Sequence, residues 1–171
     1  KPDISSLDGV LDSQRYLVFT LNRKALIADT DNLSKMLSAM AASAGDMPII
    51  APLRGSASQV VGDIKAKDFD MFDNLLVINS LSYLEFGWLT AHAAGVITDS
   101  GNVAEEATFN GVPCITLNNY TEHQETVSVG SNVLVGEDAG KLSEAVKNMV
   151  NGEWKKCALP DRWDGRTAER I

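Results

Sequence analysis

Five consecutive residues, Thr98-Asp99-Ser100-Gly101-Asn102, close an apolar run and open a segment of helical period. A strand-to-helix turn of this kind leaves backbone N–H groups free at the positive end of a helix dipole, which favours an anion. Gly101 permits close approach to the backbone, and the Ser100 hydroxyl can donate a further hydrogen bond. Hydrogen bonds to a charged group are worth about 1.5–3 kcal/mol each, so three or four would hold a diphosphate at micromolar strength. Ser100 acting only as a helix cap is the competing reading, and the turn alone leaves both open. Glu105 and Glu106 follow in the same segment. They can be a solvated pair, but Asn102 and Glu106 are four apart and share a helix face. A carboxylate one turn behind a phosphate cradle can accept both hydroxyls of a ribose, so a nucleotide fits better than free phosphate.

The remaining chemistry-bearing residues offer less. His92 sits among apolar neighbours in a helical segment and reads as a packed histidine. His123, in Thr121-Glu122-His123-Gln124-Glu125, opens a helix at another strand end and so faces the same cleft. Two His, two isolated Cys (Cys114 and Cys157) and no HExxH argue against a metal site. Ser100 lacks the GxSxG elbow and a foreseeable base, which argues against a serine hydrolase.

These turns need strands and helices to position them. Short apolar runs alternate six times with segments of helical period. The strand candidates are Tyr16–Leu21, Met47–Pro52, Asn74–Asn79, Gly95–Asp99, Val112–Leu117 and Asn132–Gly136. The first helix candidate, Asp31–Ala44, carries Leu33, Met36, Leu37, Met40, Ala41 and Ala44 as one buried stripe, with Thr30 or Asp31 as cap and Gly45 as end. Further helices are expected near Ser56–Lys67, Tyr83–Ala94 with Leu84, Trp88 and Leu89 inward, Ser100–Asn110 with Gly111 as stop, Glu122–Val129 and Ala139–Val150. Runs such as Leu75-Leu76-Val77-Ile78 are apolar on both faces, as in a parallel sheet covered by helices on both sides. The pattern predicts an α/β, doubly wound fold with ligands at the carboxyl ends of its strands. The tail from Asn151 has no legible fold.

A chain of 171 residues suits a single domain that buries a core without a disulfide or metal. Its formal charge of -8 and scattered basic residues repel a nucleic-acid polyanion. No apolar run approaches the roughly 20 residues of a membrane span. Isolated cysteines and the lack of a signal-peptide pattern suit a reducing cytoplasm. The chain opens at Lys1 and closes at Ile171 inside a stretch turning helical, so both ends read as cuts through a longer polypeptide.

From Tyr83-Leu84-Glu85-Phe86 through Gly136, the motifs TDSGNVAEEA, GVPCITL, NNYTEHQETV and GSNVLVG resemble the C-terminal half of UDP-N-acetylglucosamine 2-epimerases, whose pattern runs TDSGGxQEEA, GxPxLxxRxxTERPE and GTxxLVG. The closing DGRTAERI is similar to that family's GDGKASERI, so the likeness covers nearly the whole chain from about residue 16. The resemblance implies that residues 1–171 are one Rossmann-like, UDP-binding domain, the second half of a glycosyltransferase-B-like fold. The N-terminal domain and the final C-terminal helix would then lie outside these residues. It implies UDP contacts from Asn22 and Arg23, from Phe86 at the uracil, from Ser100, Gly101 and Asn102 at the diphosphate, and from Glu106 at the ribose. It implies inversion at C2 of the sugar by anti-elimination of UDP and re-addition, without a metal or cofactor. The acids and bases would sit in the other domain, so no catalytic residue is assigned here. Also implied are a cytoplasmic homodimer as the full-length protein and a role in cell-envelope polysaccharide synthesis. The hydrolysing relative, which releases N-acetylmannosamine and UDP, and a stand-alone UDP-sugar-binding module are the alternatives.

The chain departs from the family at four places. His-Arg-Arg-Glu-Asn after the first strand is Asn22-Arg23-Lys24-Ala25-Leu26, which loses the His that would meet the diphosphate. Pro-Val-His after the second strand is Pro52-Leu53-Arg54, which argues against activation by a second UDP-sugar. The second glycine of the diphosphate turn is Asn102, and Thr-Glu-Arg-Pro-Glu is Thr121-Glu122-His123-Gln124-Glu125.

Overall fold

A computed structural model describes residues 7–13 and 15–171. Six strands, β1 (Leu17–Phe19), β2 (Ile49–Leu53), β3 (Leu75–Asn79), β4 (Gly95–Thr98), β5 (Cys114–Thr116) and β6 (Asn132–Leu134), form one sheet in the order β3-β2-β1-β4-β5-β6. Every pairing is parallel. This is the doubly wound Rossmann-like order, and its reversal falls between β1 and β4.

The strands are short, the four inner ones are buried on both faces, and their alternation divides the core in two. Leu17, Phe19, Ile49, Ala51 and Ile97 point to one face, while Val18, Ile50, Val96 and Cys114 point to the other. The first face is covered by α2 (Lys24–Ala28), α3 (Thr30–Ala44), α4 (Gly55–Lys67) and α8 (Ala139–Val150), and the second by α1 (Asp8–Ser13), α5 (Tyr83–Ala91) and α6 (Gly101–Phe109). A short α7 (Gln124–Ser128) precedes β6, and one 3-10 turn spans Thr167–Glu169.

The six residues expected to form the buried stripe of α3 are all buried. Its cap, however, is neither Thr30 nor Asp31. The helix starts one residue earlier, so Asp29 occupies the capping position and its carboxylate accepts the Asn32 N–H at 3.2 Å. Gly111 ends α6 as expected, at φ 68°. Its N–H donates to the Thr108 carbonyl and that of Val112 to the Ala107 carbonyl, a Schellman closure that only a left-handed residue allows without strain.

Helix α5 differs from its expectation. Leu89 is buried, but Leu84 is 81% exposed. The helix is apolar around most of its circumference, so periodicity could not say which side meets the core, and Leu84 lies on the side left open. His92 is likewise not packed inside: it ends α5 on the surface, with its ring stacked on Trp88 at 4.1 Å between centroids and its Nδ1 2.8 Å from the Trp88 carbonyl oxygen. The tail is anchored by Trp154, whose indole N–H donates to the Ser131 carbonyl at 2.8 Å, and by Lys155, whose ammonium donates to the Asn132 carbonyl at 2.7 Å. No described helix is long and apolar enough to cross a membrane.

Candidate functional site

At the β1/β4 reversal one loop runs to α2 on the first face and its neighbour to α6 on the second, which opens a crevice at the carboxyl ends of the strands. Asp99 closes the bottom of that crevice. It is 7% exposed, and its Oδ2 accepts the backbone N–H groups of Asn22 at 2.7 Å and Arg23 at 2.6 Å. The Asn118 amide donates to the Asp99 carbonyl at 3.2 Å, and the Ser100 N–H donates to Thr98 Oγ1 at 3.0 Å. Thr98 Oγ1 in turn lies 2.7 Å from Thr20 Oγ1. Three strand ends are thus laced together. The other carboxylate oxygen of Asp99 is buried without a partner, a costly state that in native structures gathers at functional positions.

Ser100 precedes α6 in extended conformation, and its side chain makes no capping bond. Capping alone therefore does not account for it. Asn102 is exposed in the first turn. Gly101 is closely packed: a Cβ there would stand 3.0 Å from His123 Cδ2 and 3.2 Å from its Nε2, so the imidazole would have to shift by a few tenths of an ångström. Arg23 extends its guanidinium to the loops after β5 and β6, donating to Asn118 Oδ1 at 2.7 Å and pairing with Glu137 at 3.0 Å.

The other candidates occupy two hollows. Asn22 and Phe86 line a cavity of about 220 Å³ together with Arg54, Ser80 and Val103. Glu106 opens instead onto an apolar groove of about 680 Å³ bounded by Leu84, Trp88, Phe109 and Trp163. Phe86 and Glu106 are therefore not in one cavity. Helices α5 and α6 contribute to both. A third hollow of about 650 Å³ lies at the opposite, amino-terminal ends of the strands, where Asp46, Asp70 and Asp73 disfavour an anion.

The start of α5, which carries Phe86, is fixed by a capping box. The Glu85 carboxylate accepts the Ser82 hydroxyl at 2.6 Å and the Ser82 N–H at 3.0 Å, while Ser82 Oγ accepts the Glu85 N–H at 3.4 Å. The Ser82 hydroxyl, helped by its backbone N–H, holds the Glu85 carboxyl below its ordinary value of 4.5.

Spacing within one segment could not show what Arg54, Glu105, His123 and Glu125 come to lie beside. Arg54 brings a cation to the cavity of Asn22 and Phe86. His123 precedes α7, and its Nδ1 lies 2.9 Å from Glu105 Oε1. With Glu125 these residues form a group whose ligand atoms all lie within 4.8 Å of one another, a set chemically able to hold a divalent cation. The expectation against a metal rested on sequence spacing, whereas this group draws on two helices.

The family model for UDP-N-acetylglucosamine 2-epimerase matches residues 2–171. The chain belongs to this family. It is 33% identical over 174 residues to the UDP-N-acetylglucosamine 2-epimerase of Methanocaldococcus jannaschii, covering 96% of this chain and 45% of that protein. The solved structure of a Methanocaldococcus jannaschii UDP-GlcNAc 2-epimerase in complex with UDP-GlcNAc and UDP superposes with a TM-score of 0.77 at 31% identity, over 99% of this chain and 48% of that one. The UDP-2,3-diacetamido-2,3-dideoxy-D-glucuronate 2-epimerase of Pseudomonas aeruginosa is 31% identical over 83% of this chain and 39% of its own length. The chain thus spans less than half the length of these epimerase relatives.

Proposed function

We propose that this chain is the UDP-binding half of a non-hydrolysing epimerase that interconverts UDP-N-acetylglucosamine and UDP-N-acetylmannosamine. The observation that carries the reading is the crevice at the β1/β4 reversal, where the free amino end of α6 meets a loop held by the Asp99 carboxylate. Oriented N–H groups and a helix dipole there suit a diphosphate. Ser100, Gly101 and Asn102 would bind it, with Asn22, Arg23 and Arg54 on the facing wall. Phe86 would meet the uracil and Glu106 the ribose.

Inversion at C2 requires an acid and a base on opposite faces of the sugar and a closed, dry site. One wall of a cleft cannot provide both, so the chain alone would bind UDP weakly and leave the sugar unchanged. The whole enzyme would add an amino-terminal domain and act in the cytoplasm as a homodimer, making activated sugars for the cell envelope.

The test is proton NMR of UDP-N-acetylglucosamine in deuterated water, with the chain alone and then joined to an amino-terminal epimerase domain. The reading expects loss of the C2 proton signal, with UDP-N-acetylmannosamine as product, only in the second case. Exchange by the chain alone would place the chemistry within it. Free N-acetylmannosamine and UDP as products would make the enzyme a hydrolysing one.

A further inference from the structure

We propose that Glu105, His123 and Glu125 form a binding site for one zinc-type divalent cation, which ties α7 to α6. The site is independent of the UDP reading. Its three residues come from three places: Glu105 from the middle of α6, His123 from the position before α7, and Glu125 from the first turn of α7. One ligand atom from each lies within 4.8 Å of the other two, and no other group of three such residues does so among the described residues. The imidazole is held in place from its backbone and from one ring edge. The His123 N–H donates to Thr121 Oγ1 at 3.0 Å, and its carbonyl accepts the Thr126 hydroxyl at 2.7 Å. Cδ2 and Nε2 pack over Gly101, which leaves Nδ1 turned to Glu105, 2.9 Å from Oε1.

Zinc binds imidazole nitrogen and carboxylate oxygen at about 2.0–2.2 Å, so neighbouring ligand atoms on one ion stand about 3.0–3.5 Å apart. The Nδ1–Oε1 separation is already close to that, and carboxylate rotation closes the third atom around the ion. The charges favour a cation as well. Two carboxylates converge here, and among the described residues neither is paired with a lysine or arginine. Like charges this close oppose one another, and a divalent ion between them offsets both. The imidazole decides the kind of ion, because magnesium and calcium favour sets made of oxygen alone whereas zinc takes nitrogen and oxygen together. Three half-buried protein ligands leave a further position open to water. The family motif has arginine where this chain has His123. A guanidinium has no lone pair for a metal, so the histidine is what turns two acids into a ligand set.

The test is calorimetric titration of the chain with zinc chloride, with cobalt(II) as a spectroscopic probe of the same site. The parent chain should bind one zinc ion saturably and release it to a chelator, and cobalt should give a visible absorption band. Glu105→Gln and Glu125→Gln keep the side-chain shape but lose the charge. Each should weaken zinc by more than about tenfold, the loss that even outer partners of a metal ligand cause. His123→Arg should abolish zinc binding and the cobalt band, with circular dichroism showing the fold intact. Zinc should raise the Tm of the parent and leave that of His123→Arg unchanged, since an ion bound only to the folded chain stabilises it. Asp73→Asn, in the acidic hollow at the other end of the sheet, should bind zinc as the parent does. Absence of saturable zinc binding by the folded parent, or unchanged affinity in His123→Arg or in both glutamine variants, would overturn the site. Loss of zinc binding in Asp73→Asn would overturn it too, by moving the ion to that hollow.

Discussion

The side chain of Asp99 and the backbone of Arg23 meet at 2.6 Å, so the loop after β1 is held by the residue that opens the turn into α6. The Arg23 guanidinium leaves in the other direction, to Glu137 at 3.0 Å. Asp99→Ala frees two consecutive N–H groups from a charged acceptor. It should lower stability by about 2–4 kcal/mol and weaken UDP binding, whereas Asp99→Asn, which keeps an acceptor oxygen, should lose less. Urea unfolding of the three proteins measures the difference.

Glu106 tests the ribose contact separately from the diphosphate. Glu106→Ala should weaken UDP by about 1.5–3 kcal/mol, since a carboxylate accepting sugar hydroxyls makes charged hydrogen bonds. Uridine should lose affinity too, because the contact lies on the nucleoside. Titration calorimetry that finds both ligands unaffected, with the fold intact, would take Glu106 out of the site.

Asn22→His restores the family residue beside the proposed diphosphate. An imidazole there binds its proton more tightly in the complex, so the added affinity is present at low pH and is lost as pH rises. The gain over the parent chain should be larger at pH 6 than at pH 8. Equal gains would mean that position 22 does not face the diphosphate.

Glu85 should titrate below 4.5, and Ser82→Ala should raise its value by removing the hydroxyl that contributes most to the shift. A carboxyl lowered on folding contributes stability that is present above its unfolded-state value and lost as pH falls through the folded one. The cap of α5, and with it the placement of Phe86, should therefore loosen below about pH 4.5. Carboxyl-detected NMR titration of Glu85 in both proteins reads this directly.

Much of the fold was legible because strands covered on both faces are written as unbroken apolar runs, such as Leu75–Ile78, and because the α3 stripe repeats over four turns. Helices α1 and α2 were missed, being too short at six and five residues for a period to show. The Ser100 turn was visible from its glycine and its place between two periods. Its partners were not: the Asp99 contact to Asn22 and Arg23 spans more than 70 residues, and the Glu105–His123 pair joins two helices. Leu84 was misplaced because an apolar residue reads the same whether it faces a core or an open groove.

The central claim is that UDP lies at the β1/β4 reversal, and amide NMR of the labelled chain during a UDP titration tests it most directly. The account predicts saturable shifts of the Ser100, Gly101 and Asn102 amides, together with those of Asn22 and Arg23, and little change at the acidic hollow around Asp46 and Asp73. Saturable shifts that spare the Ser100 turn and gather elsewhere would contradict it.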